Sequence, residues 1–211
     1  MVEVGKILGY GEESLTLWTL KQHISRILGE FKDKTAPSEC LIFYRPSFGR
    51  RSRKDSSIFG EFNAIIVSSK NIYLIESKWD NNGEFKKKDL MLDNAQGLRH
   101  KIFAWYLTHW NKKYSKNWGK FVKEQQHNFR FEGKTIAQKD TLLATNLEFI
   151  LAECAKHCNK ITASNIKNIL LFFHNGQKSK LSIAINKAFK LIPIDYSKEI
   201  KGNFVTLFEE N

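Results

Sequence analysis

A carboxylate and an amine lie two residues apart in an otherwise apolar segment of the chain. The segment is Ile72–Trp79 (IYLIESKW), and the pair is Glu76 and Lys78. On a strand, this spacing places both side chains on the same face. Placing charges among isoleucine and leucine side chains costs desolvation free energy, which a solvated ion pair avoids. The pattern therefore points to chemistry, although so short a motif is also typical of an exposed strand edge with alternating charges.

A second polar pair precedes the first. Glu61 and Asn63 belong to the run Glu61–Ser68 (EFNAIIVS), which we predict to be a strand that a three-residue turn joins to Ile72–Trp79. The register of this hairpin can bring the face with Glu61 and Asn63 beside Glu76. Carboxylate oxygens, a backbone carbonyl and waters suit Mg²⁺, and a neighbouring lysine can position or deprotonate an attacking water. The hairpin is therefore a candidate site for a divalent cation.

Three helices are predicted in the segments before and after this hairpin. After Gly11 we predict an amphipathic helix of roughly twenty residues, in which Glu13 lies in line with the buried stripe. Asp93 or Asn94 can cap a second helix, and a third covers Leu142–Cys158. The apolar positions of the first helix are Leu17, Leu20, Ile24, Ile27, Leu28 and Phe31.

Strands complete the order of elements. Residues 40–45 precede the hairpin as a strand, and Ile169–Phe173 (ILLFF) is a buried strand because it is uniformly apolar. A buried strand that is reached through a helix pairs in parallel by a crossover. The sequence therefore predicts an α/β fold with a mixed β-sheet flanked by helices. We expect residues 1–211 to form a single domain, with an insertion near 119–140 and C-terminal strands within 189–208.

Two segments resemble a known family of enzymes. Residues 60–78 (GEFNAIIVSSKNIYLIESK) resemble the active-site hairpin of the PD-(D/E)xK nuclease superfamily, which has the restriction-endonuclease-like fold. Residues 93–107 (DNAQGLRHKIFAWYL) resemble the glutamine-bearing helix of its NERD and Mrr-like branches, with Gln96 and His100 at the corresponding places. The resemblance implies an α-β-β-β-α-β core and a Mg²⁺-dependent enzyme, in which Mn²⁺ can substitute. Gln96 and His100 are then expected on the DNA side.

The resemblance also implies roles for the hairpin residues. Glu76 is expected to ligate the metal, Ser77 to contribute its backbone carbonyl, and Lys78 to orient the attacking water. Glu13 matches an auxiliary acid that some members carry. Asn63 departs from the family pattern, because the family has an aspartate thirteen residues before the glutamate of the E-x-K motif. An amide oxygen can still coordinate a metal, but it brings no charge.

Three explanations for Asn63 are open. It is an engineered substitution that traps an inactive nuclease on its substrate, a natural variation that Glu61 rescues as a metal ligand, or the mark of a non-cutting binding protein. The first two are favoured because the rest of the motif is intact. If Glu61 rescues the site, Glu61→Gln should abolish cleavage.

The charge of the chain favours a polyanionic partner. It has 34 Lys and Arg against 22 Asp and Glu, a net charge of +12, and no apolar run of membrane-spanning length. Three cysteines form no even-numbered framework, so we expect reduced thiols and a soluble, cytoplasmic protein. A basic cluster just before the hairpin is a candidate DNA contact; it consists of Arg45, Arg50, Arg51, Arg53 and Lys54.

These observations lead to one expected function and two alternatives. The expected function is a metal-dependent DNA endonuclease, a type II restriction enzyme being one form, which acts on double-stranded DNA. A homodimer is expected, because cutting both strands of a palindrome takes two facing active sites. The first alternative is a catalytically silent nucleic-acid-binding protein of the same fold. The second is a structural protein that uses its basic surface within an assembly.

Overall fold

The computed structural model describes residues 5–49, 56–80, 89–90, 92–176, 182–183, 188–201 and 204–209. Its strands and helices are, in chain order, β1 (Lys6–Tyr10), α1 (Gly11–Gln22), α2 (Ile24–Gly29), β2 (Leu41–Tyr44), β3 (Ser47–Phe48), β4 (Gly60–Glu61), β5 (Ala64–Val67), β6 (Ile72–Trp79), β7 (Asp89–Leu90), α3 (Asn94–His109), α4 (Trp118–Gln125), α5 (Leu142–His157), β8 (Ile166–His174), β9 (Ser182–Ile183), β10 (Phe189–Asp195), β11 (Ile200–Lys201) and β12 (Phe204–Glu209).

A five-stranded mixed sheet confirms the predicted α/β class. Its strand order is β10-β8-β6-β5-β2, so β6 is the central strand. β2 and β5 are antiparallel, whereas β8 and β10 are parallel. The backbone N–H of Asp80 donates to the carbonyl of Phe173 at 3.0 Å. This bond joins the carboxyl-terminal ends of β6 and β8, as the predicted parallel crossover requires.

The chain divides into two compact units. The first unit comprises Met1–Ser38, Ile75–Leu92 and Asn168–Asn211, and the second comprises Glu39–Leu74 and Asp93–Lys167. Each unit is therefore assembled from segments that are distant in the sequence. Among the described residues, no helix has the length and apolar character needed to cross a membrane.

In the first unit, the predicted apolar stripe is confirmed at Leu20, Ile24, Ile27 and Leu28 but is wrong in the first turns of α1. The residues of α1 that are buried are Leu15, Thr16, Trp18, Thr19 and Leu20, whereas Glu13 and Leu17 are exposed. The sequence pattern missed the start of this face, because Thr16 and Thr19 are polar and do not mark a buried position. The predicted single helix is also wrong, since it divides at His23 into α1 and α2.

The second unit has a core rich in aromatic rings. Trp110, Tyr114 and Trp118 are buried in it, together with Phe121 from α4. The indole N–H of Trp118 donates to the carbonyl of Ala137 at 2.7 Å. The segment predicted as an insertion near 119–140 is therefore a packed part of this core.

Candidate active-site residues

The E-x-K motif lies at the carboxyl-terminal half of the central strand. Glu76 is 2% exposed and Ser77 is 1% exposed, whereas Lys78 is partly exposed. The preceding residues of β6, Leu74 and Ile75, are fully buried. A carboxylate this deep in a sheet costs desolvation free energy unless hydrogen bonds, an ion pair or a metal compensate it. The burial therefore distinguishes Glu76 from an acid on an exposed strand edge.

Helix α1 contacts the motif through a pair of hydroxyls. The hydroxyl groups of Thr16 and Ser77 are 2.9 Å apart, and both residues are buried. Thr16 also donates to the backbone carbonyl of Glu12 at 2.8 Å. Since successive side chains on a strand alternate, Glu76 and Lys78 leave β6 on the face opposite to Ser77. The side chain of Ser77 thus anchors the strand to α1, while the two charged side chains of the motif point the other way.

The acids of α1 lie differently from the sequence prediction. Glu13, the predicted auxiliary acid, is exposed, whereas Glu12 is half-buried one turn before Thr16. Because residues four apart share a helix face, Glu12 is aligned with the buried face that contacts β6. The helix therefore presents Glu12, rather than Glu13, on its sheet-facing side.

The carboxyl end of β6 is held by a network that the sequence analysis missed. The indole N–H of Trp79 donates to the hydroxyl of Tyr196 at 2.8 Å, and that hydroxyl donates to Asp80. Asp80 also accepts a hydrogen bond from the backbone N–H of Asn175 at 2.8 Å. Asp80 and Tyr196 are 116 positions apart. No local sequence signal links them, so only the fold reveals the pair.

In the second unit, the strand that carries Asn63 is interrupted. The sequence predicted one strand over Glu61–Ser68, but β4 ends at Glu61 and β5 begins at Ala64. Asn63 therefore lies between strands, where its backbone carbonyl accepts a hydrogen bond from the N–H of Arg45 at 3.1 Å. Arg45 has a φ of 50°, a left-handed conformation that non-glycine residues seldom adopt. The predicted common strand face of Glu61 and Asn63 is thus wrong, because the chain kinks between them.

Glu61 is paired with Arg45. Its Oε1 accepts hydrogen bonds from Nε at 2.9 Å and from Nη2 at 2.6 Å. The two side chains are 16% and 35% exposed, Glu61 being the more buried. A guanidinium at this distance offsets the carboxylate charge and fixes its orientation. Glu61 therefore has a cationic partner within its own unit.

The residues of α3 have roles that the sequence did not assign. Gln96 Oε1 accepts a hydrogen bond from the backbone N–H of Asp93 at 3.0 Å, which forms part of a capping box. His100 is 2% exposed, and its ring lies edge-on to that of Phe62 at a centroid distance of 4.8 Å. Gln96 thus caps the start of the helix, and His100 packs in the core against Phe62, the residue before Asn63.

Arg99, which the sequence analysis did not single out, flanks the same aromatic ring. Its guanidinium carbon is 5.6 Å from the centroid of Phe62. Gly60 has a φ of +114°, and a Cβ there would lie 3.4 Å from side-chain atoms of Arg99. A larger residue would be strained by this φ, and its Cβ would contact the arginine side chain. The glycine is therefore required by the backbone, and Arg99 packs over the segment that leads to Asn63.

Four residues of the predicted DNA-binding cluster lie outside the described residues, and the described residues limit the kind of metal site that can form. The four are Arg50, Arg51, Arg53 and Lys54. No three His, Cys, Asp or Glu side chains converge as a metal site within the described part of the chain. Mg²⁺, however, commonly takes one or two carboxylates and keeps several waters. The buried carboxylate of Glu76 and the adjacent backbone carbonyl of Ser77 fit that requirement, but they do not fit a metal that needs several side-chain ligands.

The chain was compared with family models, curated proteins and solved structures. None of the three comparisons found a match.

Proposed function

We propose that this protein is a metal-dependent nuclease that hydrolyses phosphodiester bonds in DNA. One observation carries the proposal: Glu76 is 2% exposed on the central strand, and Lys78 follows two residues later on the same face. The sequence resemblance of this hairpin to the PD-(D/E)xK nucleases and the net charge of +12 support the same reading. We propose a restriction-endonuclease-like topology, a cytoplasmic location and a homodimer as parts of this hypothesis.

The proposed chemistry assigns a task to each residue of the motif. Bound Mg²⁺ supplies Lewis-acid stabilisation of negative charge at the scissile phosphate. Glu76 and the Ser77 carbonyl hold the cation through oxygen atoms, the donors that it prefers. Lys78 donates a hydrogen bond that orients the attacking water, and its positive charge stabilises the anionic transition state. The polar residues of β6 thereby hold both the cation and the nucleophile in place.

Asn63 stands where the resemblance calls for a second acid. An amide oxygen offers Mg²⁺ a neutral ligand in place of a carboxylate, so cation affinity should be lower than in a two-acid site. The ion pair with Arg45 argues against Glu61 as the replacement. We therefore propose that restoring the carboxylate by Asn63→Asp strengthens metal-dependent cleavage.

The direct test uses purified full-length variants and supercoiled plasmid. We expect Asn63→Asp to nick or linearise plasmid with Mg²⁺ or Mn²⁺, and EDTA to stop the reaction. Adding Glu76→Ala or Lys78→Ala should abolish cutting, because each removes a group that acts on the reacting atoms. The assignment fails if Asn63→Asp cuts nothing and if the two alanine variants leave DNA affinity unchanged.

The alternative is a catalytically silent nucleic-acid-binding protein. The neutral Asn63 favours this alternative, because it removes an acid that the family uses for metal binding. A binder of this kind should hold DNA equally well with Mg²⁺ or EDTA, and its affinity should fall steeply with salt. Binding assays in both buffers therefore separate the alternative from the nuclease, whose productive DNA complex depends on the cation.

A further inference from the structure

A network of hydrogen bonds holds the carboxyl end of β6, directly after Lys78. Trp79 is 6% exposed and Tyr196 is 3% exposed, so their polar atoms need partners within the protein. The Tyr196 hydroxyl meets this need in both directions, since it accepts from the Trp79 indole at 2.8 Å and donates to Asp80. One hydroxyl thus joins the two residues that follow Lys78.

Asp80 extends the network to the neighbouring strands. One of its carboxylate oxygens accepts from Tyr196, and the other accepts from the backbone N–H of Asn175 at 2.8 Å. Its own backbone N–H donates to the carbonyl of Phe173 at 3.0 Å. Tyr196 is in turn fixed by its backbone N–H, which donates to the carbonyl of His174 at 3.1 Å. The end of β6 is therefore tied to the ends of β8 and β10 by side-chain and backbone bonds together.

Strand ends fray more readily than strand centres, because their last residues have fewer hydrogen-bonded neighbours. Lys78 is the second-last residue of β6, so its position depends on how firmly Trp79 and Asp80 are held. A displacement of about 1 Å at a reacting group is enough to slow a reaction strongly. The hydrogen bonds that Asp80 accepts involve a carboxylate and are stronger than bonds between neutral groups. They are therefore suited to hold the strand end, and Lys78 with it, in place.

We propose that Tyr196 and Asp80 form a positioning pair that holds the carboxyl end of β6, and with it Lys78, in place for phosphodiester hydrolysis. This inference rests on the proposed function. Neither residue touches the reacting atoms, so both act through Lys78. Burial and the nearby carboxylate of Asp80 raise the pKa of Tyr196 above its ordinary value, so its hydroxyl keeps the proton that it donates.

The test compares Tyr196→Phe with a matched tyrosine elsewhere in the chain. The hydroxyl of Tyr114 also donates to a carboxylate, Glu124 at 2.8 Å, and accepts from the side chain of Gln125 at 3.0 Å. Tyr114→Phe therefore removes the same kind of contacts in the second unit. Both variants are made in the full-length Asn63→Asp protein, and their thermal midpoints are measured first.

We expect Tyr196→Phe to lower kcat for plasmid cleavage by about tenfold with little change in KM, the size expected from losing a hydrogen bond to a charged group. Tyr114→Phe should leave kcat unchanged, even where the two variants lose similar thermal stability. The kcat of Asp80→Asn should lie between those of the parent and Asp80→Ala. The amide oxygen of the asparagine still accepts one of the two hydrogen bonds that Asp80 accepts from Tyr196 and Asn175. The proposal is overturned if Tyr196→Phe retains the parental kcat, or if Tyr114→Phe lowers kcat equally.

Hydrogen exchange of the peptide that spans the end of β6 provides a readout without activity. Tyr196→Phe should accelerate that exchange by about tenfold, while Tyr114→Phe should not. Unchanged exchange in Tyr196→Phe overturns the positioning role whatever the activity. If the Asn63→Asp parent cuts no DNA, the proposed function fails, and accelerated exchange then supports only the restraint of Lys78 by the pair.

Discussion

Glu61 illustrates how one contact changes the interpretation of a candidate residue. Its type and its place two residues before Asn63 make it the obvious substitute for a missing acid. The structure pairs its carboxylate with Arg45 through two hydrogen bonds to one oxygen. Binding a cation there means competing with a guanidinium that is already in place, which weakens the attraction for Mg²⁺. We therefore expect Glu61 to stabilise the kink before β5 rather than to bind a metal.

A double-mutant cycle tests this assignment. Glu61→Gln and Arg45→Met should each destabilise the fold, and their coupling free energy should be about 0.5 to 1 kcal/mol, as for other partly exposed ion pairs. In the Asn63→Asp protein, Glu61→Gln should leave the Mg²⁺ dependence of cleavage unchanged. The unfolding midpoint in urea and the Mg²⁺ concentration for half-maximal cleavage are the two measurements. If the Glu61→Gln variant needs tenfold more Mg²⁺ for half-maximal cleavage, Glu61 is a metal ligand and this assignment is wrong.

Elements with strong local signals could be predicted from the sequence. The apolar run Ile72–Trp79 and its hairpin spacing identified β6, and Asp93, one of the two predicted caps, caps α3. The uniformly apolar run that defines β8 was also correct, and the bond between the carboxyl ends of β6 and β8 agrees with the predicted parallel crossover. These elements follow from burial periodicity and helix caps, which depend on neighbouring residues.

Features set by distant contacts could not be predicted. The buried face of α1 includes Thr16, whose hydroxyl is satisfied by Ser77, 61 positions away. The interruption before β5 is hydrogen-bonded to the left-handed Arg45, which lies between β2 and β3, and the Asp80–Tyr196 pair joins two remote segments. In each case a polar group is stabilised by a partner that only the folded chain supplies. The part of the candidate site that lay within one strand was therefore predictable, and its supports were not.

The start of α3 offers a test of whether Gln96 acts on the helix or on DNA. Its side chain closes part of the capping box at Asp93, and glutamate serves equally well at this position. We expect Gln96→Ala to lower the free energy of unfolding by about 0.5 to 1 kcal/mol and Gln96→Glu to leave it nearly unchanged.

The same two variants are measured for DNA affinity. A capping role predicts that both bind DNA like the parent. A direct phosphate contact predicts that Gln96→Glu weakens binding more than Gln96→Ala does, because it brings a negative charge to the phosphate. Chemical denaturation gives the free energies of unfolding, and fluorescence anisotropy gives the DNA affinities. Weaker binding by Gln96→Glu than by Gln96→Ala would indicate that Gln96 contacts DNA.

For the whole molecule, net charge is the property on which the proposed binding of DNA depends. A charge of +12 on 211 residues attracts any polyanion over several ångströms, so basicity alone does not identify a binding surface. Counterion release gives a way to locate that surface. Each phosphate neutralised by a lysine or arginine contributes about 0.9 to the slope of log affinity against log salt on duplex DNA.

The last prediction concerns the basic cluster that precedes the hairpin. Replacing Arg50, Arg51, Arg53 and Lys54 by glutamine should reduce the salt slope by roughly 3 to 4 if all four contact phosphates. A matched control replaces four exposed lysines by glutamine and removes the same charge; these are Lys112, Lys116, Lys123 and Lys160. A localised DNA surface predicts a much smaller change of slope in this control. Equal changes of the salt slope in both sets would mean that binding is spread over the basic surface. An absence of DNA binding in the parent would favour a structural protein that uses its charge within an assembly.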